Sequence, residues 1–266
     1  MDFGNIISNS FRYPFKDLKH LGFVFLLFLL TVILPIGVII NNEITRVIGV
    51  IALLVFVLVA PGYMMRVVNA GVRGSLEIPS INLRSSVVNT FKLLVLHICY
   101  ITIPSIVVFL ILSLITGLWN FSAVSSSIGA VTTTFIWTVL MYCIFSIVSF
   151  IAKARLAKYG SLVEALKLKK VLKDIREIGI SRFICWFLVM IVLIEIIKTI
   201  AILVMFIPYV GFIFYFVIVA PIITLVFYYS LGLLYSNSDD WDKSGDWADF
   251  EKFEKEIEYL KYGRLD

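Results

Sequence analysis

Six stretches of this chain run for roughly 20 residues each with hardly a charge among them: 21–40, 47–65, 93–116, 128–151, 183–206 and 210–234. A helix needs about 20 mainly apolar residues to cross the hydrocarbon core of a bilayer. Water is absent there, so the backbone must satisfy its own polar groups, which a helix does within one segment. The two-residue alternation of an outer-membrane barrel strand is missing from all six. Composition points the same way. The chain is 61% hydrophobic and 15% charged, with a mean hydropathy of +1.00, whereas soluble domains are nearer about 45–50% apolar. Arg12, Lys16 and Lys19 before the first run resemble the basic start of a signal peptide. The run behind them is longer than a signal core, and no small-x-small cleavage pattern follows, so it reads as a retained span. The expected fold is therefore all-α, a polytopic transmembrane bundle of six spans.

Orientation follows from the basic residues, which collect in cytoplasmic loops. Of 23 Lys and Arg, all but Arg46 and Lys198 lie in 12–19, 66–92, 153–182 and 243–264, on one side of a six-span chain. Both termini are thus expected in the cytoplasm, with the plasma membrane as location. This clustering also makes a membrane surface, not nucleic acid, the partner implied by the net charge of +5. The spans would form three hairpins, each preceded by a cytoplasmic stretch. In 2–15, Phe3, Ile7, Phe11 and Phe15 recur every four residues on one helical side. In 161–178, Leu162, Ala165, Leu166, Leu172 and Ile175 oppose Lys167, Lys170 and Lys173, behind a Ser161–Glu164 capping-box pattern. Both read as interfacial amphipathic helices suited to anionic lipids at the cytoplasmic face; an ordinary solvated linker is the plainer alternative. The expected organisation is a membrane domain over 1–235 and an acidic cytoplasmic tail over 236–266. The tail has ten acidic and five basic residues, and Trp247, Phe250, Phe253, Ile257 and Leu260 mark an amphipathic helix at 246–261.

Short motifs at the cytoplasmic edges carry a family resemblance. They are Tyr13-Pro14-Phe15-Lys16-Asp17, Gly62-Tyr63-Met64-Met65-Arg66, Gly74 through Pro79, and Arg155 with Gly160-Ser161-Leu162-Val163-Glu164-Ala165. In order and spacing the chain resembles the archaeal and bacterial membrane proteins grouped as domain of unknown function 4013, over about residues 1–235. It departs from the family after Pro79, where Ser80-Ile81-Asn82-Leu83-Arg84 stands in place of acidic and Trp residues. The resemblance implies a multi-span membrane fold and no assigned activity.

Few residues are candidates for chemistry. Glu195 and Lys198, three positions apart within the fifth run, share a helix face and can pair. Ionisable groups inside a membrane usually face a bundle interior or water, so the pair can be a substrate, ion or proton site; the plainer readings are a buried structural ion pair or a Lys snorkelling outward. His97 in the third run is a proton-relay candidate or an interhelical hydrogen-bonding residue. Pro61, Pro104 and Pro221 should interrupt spans two, three and six. Cys99, Cys143 and Cys185 lie in apolar runs without metal-type spacing. With only His20 and His97 as histidines, neither a metal nor another cofactor is expected. H-E-x-x-H, phosphate-loop and G-x-S-x-G patterns are absent, so the chain is not expected to be an enzyme. Two functions remain in view. One is a non-catalytic membrane component that binds a protein partner, forms a homo-oligomer or organises the membrane; the other is a small-solute or ion permease using Glu195 and Lys198.

Overall fold

The computed structural model describes residues 3–115, 128–207 and 210–241. The described residues contain helices and no strand. Six helices are long and apolar enough to cross a membrane, which makes this a multi-pass membrane protein. In chain order the elements are α1 (Phe3–Arg12), a 3₁₀ turn (Tyr13–Phe15), α2 (Leu18–Ile39), α3 (Glu43–Val72) and α4 (Leu83–Ile115). Then follow α5 (Ile128–Tyr159), the short α6 (Leu162–Leu166), α7 (Leu168–Ile178) and α8 (Ile180–Met205). The last, α9, starts as Val210–Phe214, passes through a π turn at Tyr215–Val219 and continues as Ala220–Trp241. The expected amphipathic helix of the acidic tail, at 246–261, lies outside the described residues.

The first three spans start on side-chain caps. Asp17, Asn42 and Asn82 accept from the backbone N–H of His20, Thr45 and Ser85 at 3.0–3.1 Å. Each satisfies one of the free donors of a helix N-terminus. The spans then pack around α3, which touches α2, α4, α5 and α9. Small residues let these backbones approach, as helices in lipid require. A Cβ on Gly232 would fall 2.3 Å from the carbonyl oxygen of Val68, and one on Gly62 would fall 1.8 Å from that of Ser86. Consecutive spans also touch: α2 with α3, α4 with α5, and α8 with α9.

Several local expectations change. Helix α3 runs through Pro61 without a break, whereas Pro104 and Pro221 each follow a five-residue π turn, Ile98–Thr102 and Tyr215–Val219. Proline lacks an N–H and its ring crowds the carbonyl four residues back; the wider turn relieves both. The 161–178 helix is two pieces, broken at Lys167. The expected capping box does not form: Ser161 makes no side-chain cap, and the Glu164 carboxylate goes to Lys167, Lys170 and Arg155. The buried side of α7 is Val171, Asp174, Ile175 and Ile178, while Leu172 is exposed. In α1 the buried positions are Ile6 and Ser10, continued by Tyr13 and Pro14, while Phe15 is exposed. Helix α1 packs on α9, so α9 rather than a flat lipid surface selects its inner side.

Candidate functional site

Most of the motif residues at the chain's basic edges, Tyr13, Tyr63, Arg66, Gly74 and Pro79 among them, meet at a strap that borders a half-open polar cavity, while Phe15 is exposed and Arg155 lies in a separate network. Helix α3 ends where Gly74 adopts φ +65°. The Ser75 N–H reaches back to the Ala70 carbonyl at 2.9 Å and the Gly74 N–H to that of Gly71 at 3.0 Å, a glycine-based helix stop. The chain then crosses the end of the bundle as 75–82. Three side chains donate to its backbone carbonyls: Tyr13 Oη to Glu77 at 3.4 Å, Tyr63 Oη to Pro79 at 3.1 Å, and Arg66 Nη1 to Ser80 at 2.6 Å. Ile78 between them is buried. Tyr13 itself is clamped, its ring stacked on Tyr229 of α9 at 3.9 Å. Burial raises its phenol pKa above the ordinary value, so it stays a proton donor at neutral pH. Pro14 fixes the turn that aims Tyr13 inward. Asp17 caps α2, and the His20 backbone N–H and then its ring lower the carboxyl pKa. Gly62, with its N–H on Thr90 Oγ1 at 2.9 Å, brings α4 against α3.

Beneath the strap lies a cavity of about 610 Å³. Its walls come from the start of α2 (His20), the end of α3 (Arg66, Asn69, Arg73), the strap (Glu77, Ser80), α4 (Asn89) and the end of α5 (Ala157, Gly160). Asn69 Nδ2 donates to the Ala157 carbonyl at 2.5 Å, and Lys92 Nζ to that of Gly160 at 2.7 Å, so two spans hold the far wall. Two guanidinium groups and one carboxylate line the cavity, and the His20 ring faces its own partner Asp17 at 2.5 Å. The two guanidinium groups, with amide and hydroxyl groups around them, can donate hydrogen bonds to a negatively charged group. Among the described residues no group of three or more His, Cys, Asp or Glu could hold a metal.

Arg155 lies beside this site in a buried network. Its Nη1 donates to Asp174 Oδ2 at 2.6 Å and Oδ1 at 2.9 Å, and its Nε to the Glu164 carbonyl at 3.0 Å. Tyr235 Oη donates to Asp174 Oδ2 at 2.7 Å. Glu164 takes Lys167 at 2.5 Å, Lys170 at 2.9 Å and Arg155 at 3.4 Å. These cations, Lys167 first, pull its carboxyl pKa down to about 2. Tyr100, in the π turn of α4, donates to the Ala165 carbonyl at 3.0 Å. Arg155 is therefore a latch that closes α6 and α7 onto the spans.

The intramembrane candidates lie elsewhere. Glu195 and Lys198 do pair, at 2.7 Å, on an exposed side of α8. The groove beside Glu195 is lined by α8 residues alone. His97 is exposed, directly before the π turn of α4. None of the three reaches the cavity. The sequence reading missed the latch partners Asp174 and Tyr235 and the cavity residues Asn69, Arg73 and Asn89. Asp174 did carry a signal, as one of only three acids among the nine basic residues of 153–182.

No curated protein and no solved structure matches the chain. The family described as "Protein of unknown function (DUF4013)" matches residues 46–207. That stretch holds the strap, most of the cavity wall and both Arg155 and Asp174, and leaves Tyr13 to Asp17 on its N-terminal side. It covers more than half of the 266 residues, so the chain belongs to the DUF4013 family.

Proposed function

We propose that this protein is a non-catalytic component of the plasma membrane whose basic end faces the cytoplasm, with both termini, and holds anionic lipid headgroups. The observation that carries the reading is the cavity under the strap, with Arg66 and Arg73 in its wall. Its setting supports the choice of partner. Lys167, Lys169, Lys170, Lys173 and Arg176 are exposed at the same end, and each cation near an anionic surface contributes about 1 kcal/mol. The permease reading has weaker support, because Glu195 and Lys198 lie on the outside of one helix and not in a passage between helices.

Two measurements test the proposal. Native mass spectrometry of the protein taken from mixed vesicles should retain phosphatidylglycerol over phosphatidylcholine. Arg73→Gln should weaken that preference by about five-fold, the loss of about 1 kcal/mol. Equal retention of the two lipids by the wild-type chain would end the headgroup reading. Orientation is tested separately on a chain with its native cysteines replaced: Ser125→Cys should react with an impermeant maleimide from outside, and Ser181→Cys and Ser244→Cys should not. The reverse pattern would put the cavity on the wrong side for cytoplasmic lipid.

A further inference from the structure

The most demanding feature outside the cavity is the Glu195–Lys198 pair. Its side chains are 59% and 36% exposed, in a helix whose surroundings should be hydrocarbon. Glu195 stands ten residues before the end of α8 at Met205, about 15 Å at 1.5 Å per residue. A lysine stem can carry its charge part of that way, but a glutamate side chain is too short. Charged side chains in a span almost always face protein or water, and here the described helices leave the pair open. Helix α8 is also the least covered span: 11% of its apolar window is buried, against 39% in α3. Leu188, Val192, Glu195, Thr199 and Leu203 form one exposed stripe along it, at steps of three and four residues.

We propose that this stripe is the contact between two copies of the chain in the membrane. The charges select a second copy as the occupant. Two copies inserted in the same direction and related by a two-fold axis along the membrane normal bring identical heights of α8 together. Glu195 then meets the Glu195 level of the other copy, with each Lys198 three residues further along. Acid and base alternate around the axis, so each carboxylate accepts from its own lysine and from that of the second copy. The surface is self-complementary, and lipid tails offer neither partner. Val192 and Leu203 lie above and below as the apolar flanks.

The test uses the full chain in liposomes, with Cys99, Cys143 and Cys185 replaced by serine. Val192→Cys should cross-link into a dimer with a short bis-maleimide, and Ile51→Cys, on an exposed face of α3, should not. Glu195→Gln in the Val192→Cys background should lower the cross-link yield by roughly ten-fold, the upper range for polar contacts between membrane helices. Differently tagged Glu195→Lys and Lys198→Glu chains, each with Val192→Cys, should cross-link to each other and not to themselves. Monomer only at Val192→Cys would overturn the proposal, as would a yield that Glu195→Gln leaves unchanged. If the charge-segregated chains fail to insert, the Glu195→Gln yield decides. Cross-linking of Val192→Cys to a different protein in native membranes, with no dimer, would assign the stripe to that protein and also overturn the proposal.

Discussion

Arg155–Asp174 and Glu195–Lys198 are alike in chemistry and nearly alike in length, at 2.6 and 2.7 Å. Their surroundings are opposite. The Arg155 pair is almost completely enclosed, with Tyr235 donating to Asp174 and the Glu164 carbonyl accepting from Arg155. The Glu195 pair is open on one side of a peripheral helix. A buried pair is costly to form and more costly to break, because removing one charge strands the other. An open pair strands nothing within its own fold. The contrast separates a charge that holds one chain together from a charge that waits for something outside it.

The comparison can be broken at either end. The largest effect is expected at the latch. Arg155→Gln leaves Asp174 buried beside Tyr235 and should destabilise the protein by about 3–5 kcal/mol, measured as detergent-dependent thermal unfolding. Arg155→Met with Asp174→Leu should recover most of that loss. A single variant as stable as wild type would mean that the latch contributes nothing. Glu195→Gln, measured on the monomer in detergent, should cost only about 0.6 kcal/mol, the average for polar side-chain contacts in a membrane bundle. A loss as large as that of Arg155→Gln would show that Glu195 works inside its own fold and would remove the contrast.

A smaller effect should follow pH at Glu164, on the linker side of the latch. Its folded pKa of about 2 lies below the ordinary 4.5, so its contribution is complete above about pH 4.5. It is lost as pH falls toward 2, when the protonated acid no longer attracts Lys167 and Lys170. Hydrogen exchange of α6 and α7 should therefore be flat from pH 8 to 5, after correction for intrinsic rates, and quicken only below. Glu164→Gln should show the fast exchange at every pH. Exchange that quickens in step in both proteins would assign the acid effect to another group.

The cavity and the two pairs are unequally legible in the sequence. Glu195 and Lys198 are three residues apart, so helical geometry alone put them on one face. Asp174 is 19 residues from Arg155, with a break at Lys167 between them; no local rule joins such positions. The strap was visible only as motif order. That Tyr13, Tyr63 and Arg66 all donate to one short loop needs the 3₁₀ turn after α1, helix α3 and the loop to be folded together. The inner faces of these cytoplasmic segments are legible only in part: Ala165 and Ile175 are buried and Phe11 packs on the core, as their spacing predicts, whereas Phe15 and Leu172 are exposed. The segments 3–15 and 168–178 carry more apolar residues than they bury, and the neighbouring helices chose Ile6 over Phe15 and Val171 over Leu172.

What the sequence determined by itself is the part that the bilayer enforces. A nearly charge-free run of sufficient length in hydrocarbon must be a helix, so the number of spans and their places follow from composition along the chain, while the helices themselves run past the apolar stretches, as in Glu43–Val72 and Leu83–Ile115. Capping residues such as Asp17 and Asn82 act within three residues and belong to that part too. Tertiary structure alone decided which spans lie at the centre. Helices α3 and α8 have nearly the same hydropathy, 2.6 and 2.7, yet 39% of the first window is buried and 11% of the second. Lipid tails are as apolar as leucine, so hydrophobicity cannot distinguish a protein-facing side from a lipid-facing one. Close backbone approach can, and Gly62, Gly71 and Gly232 take effect only when a second helix is there to meet them.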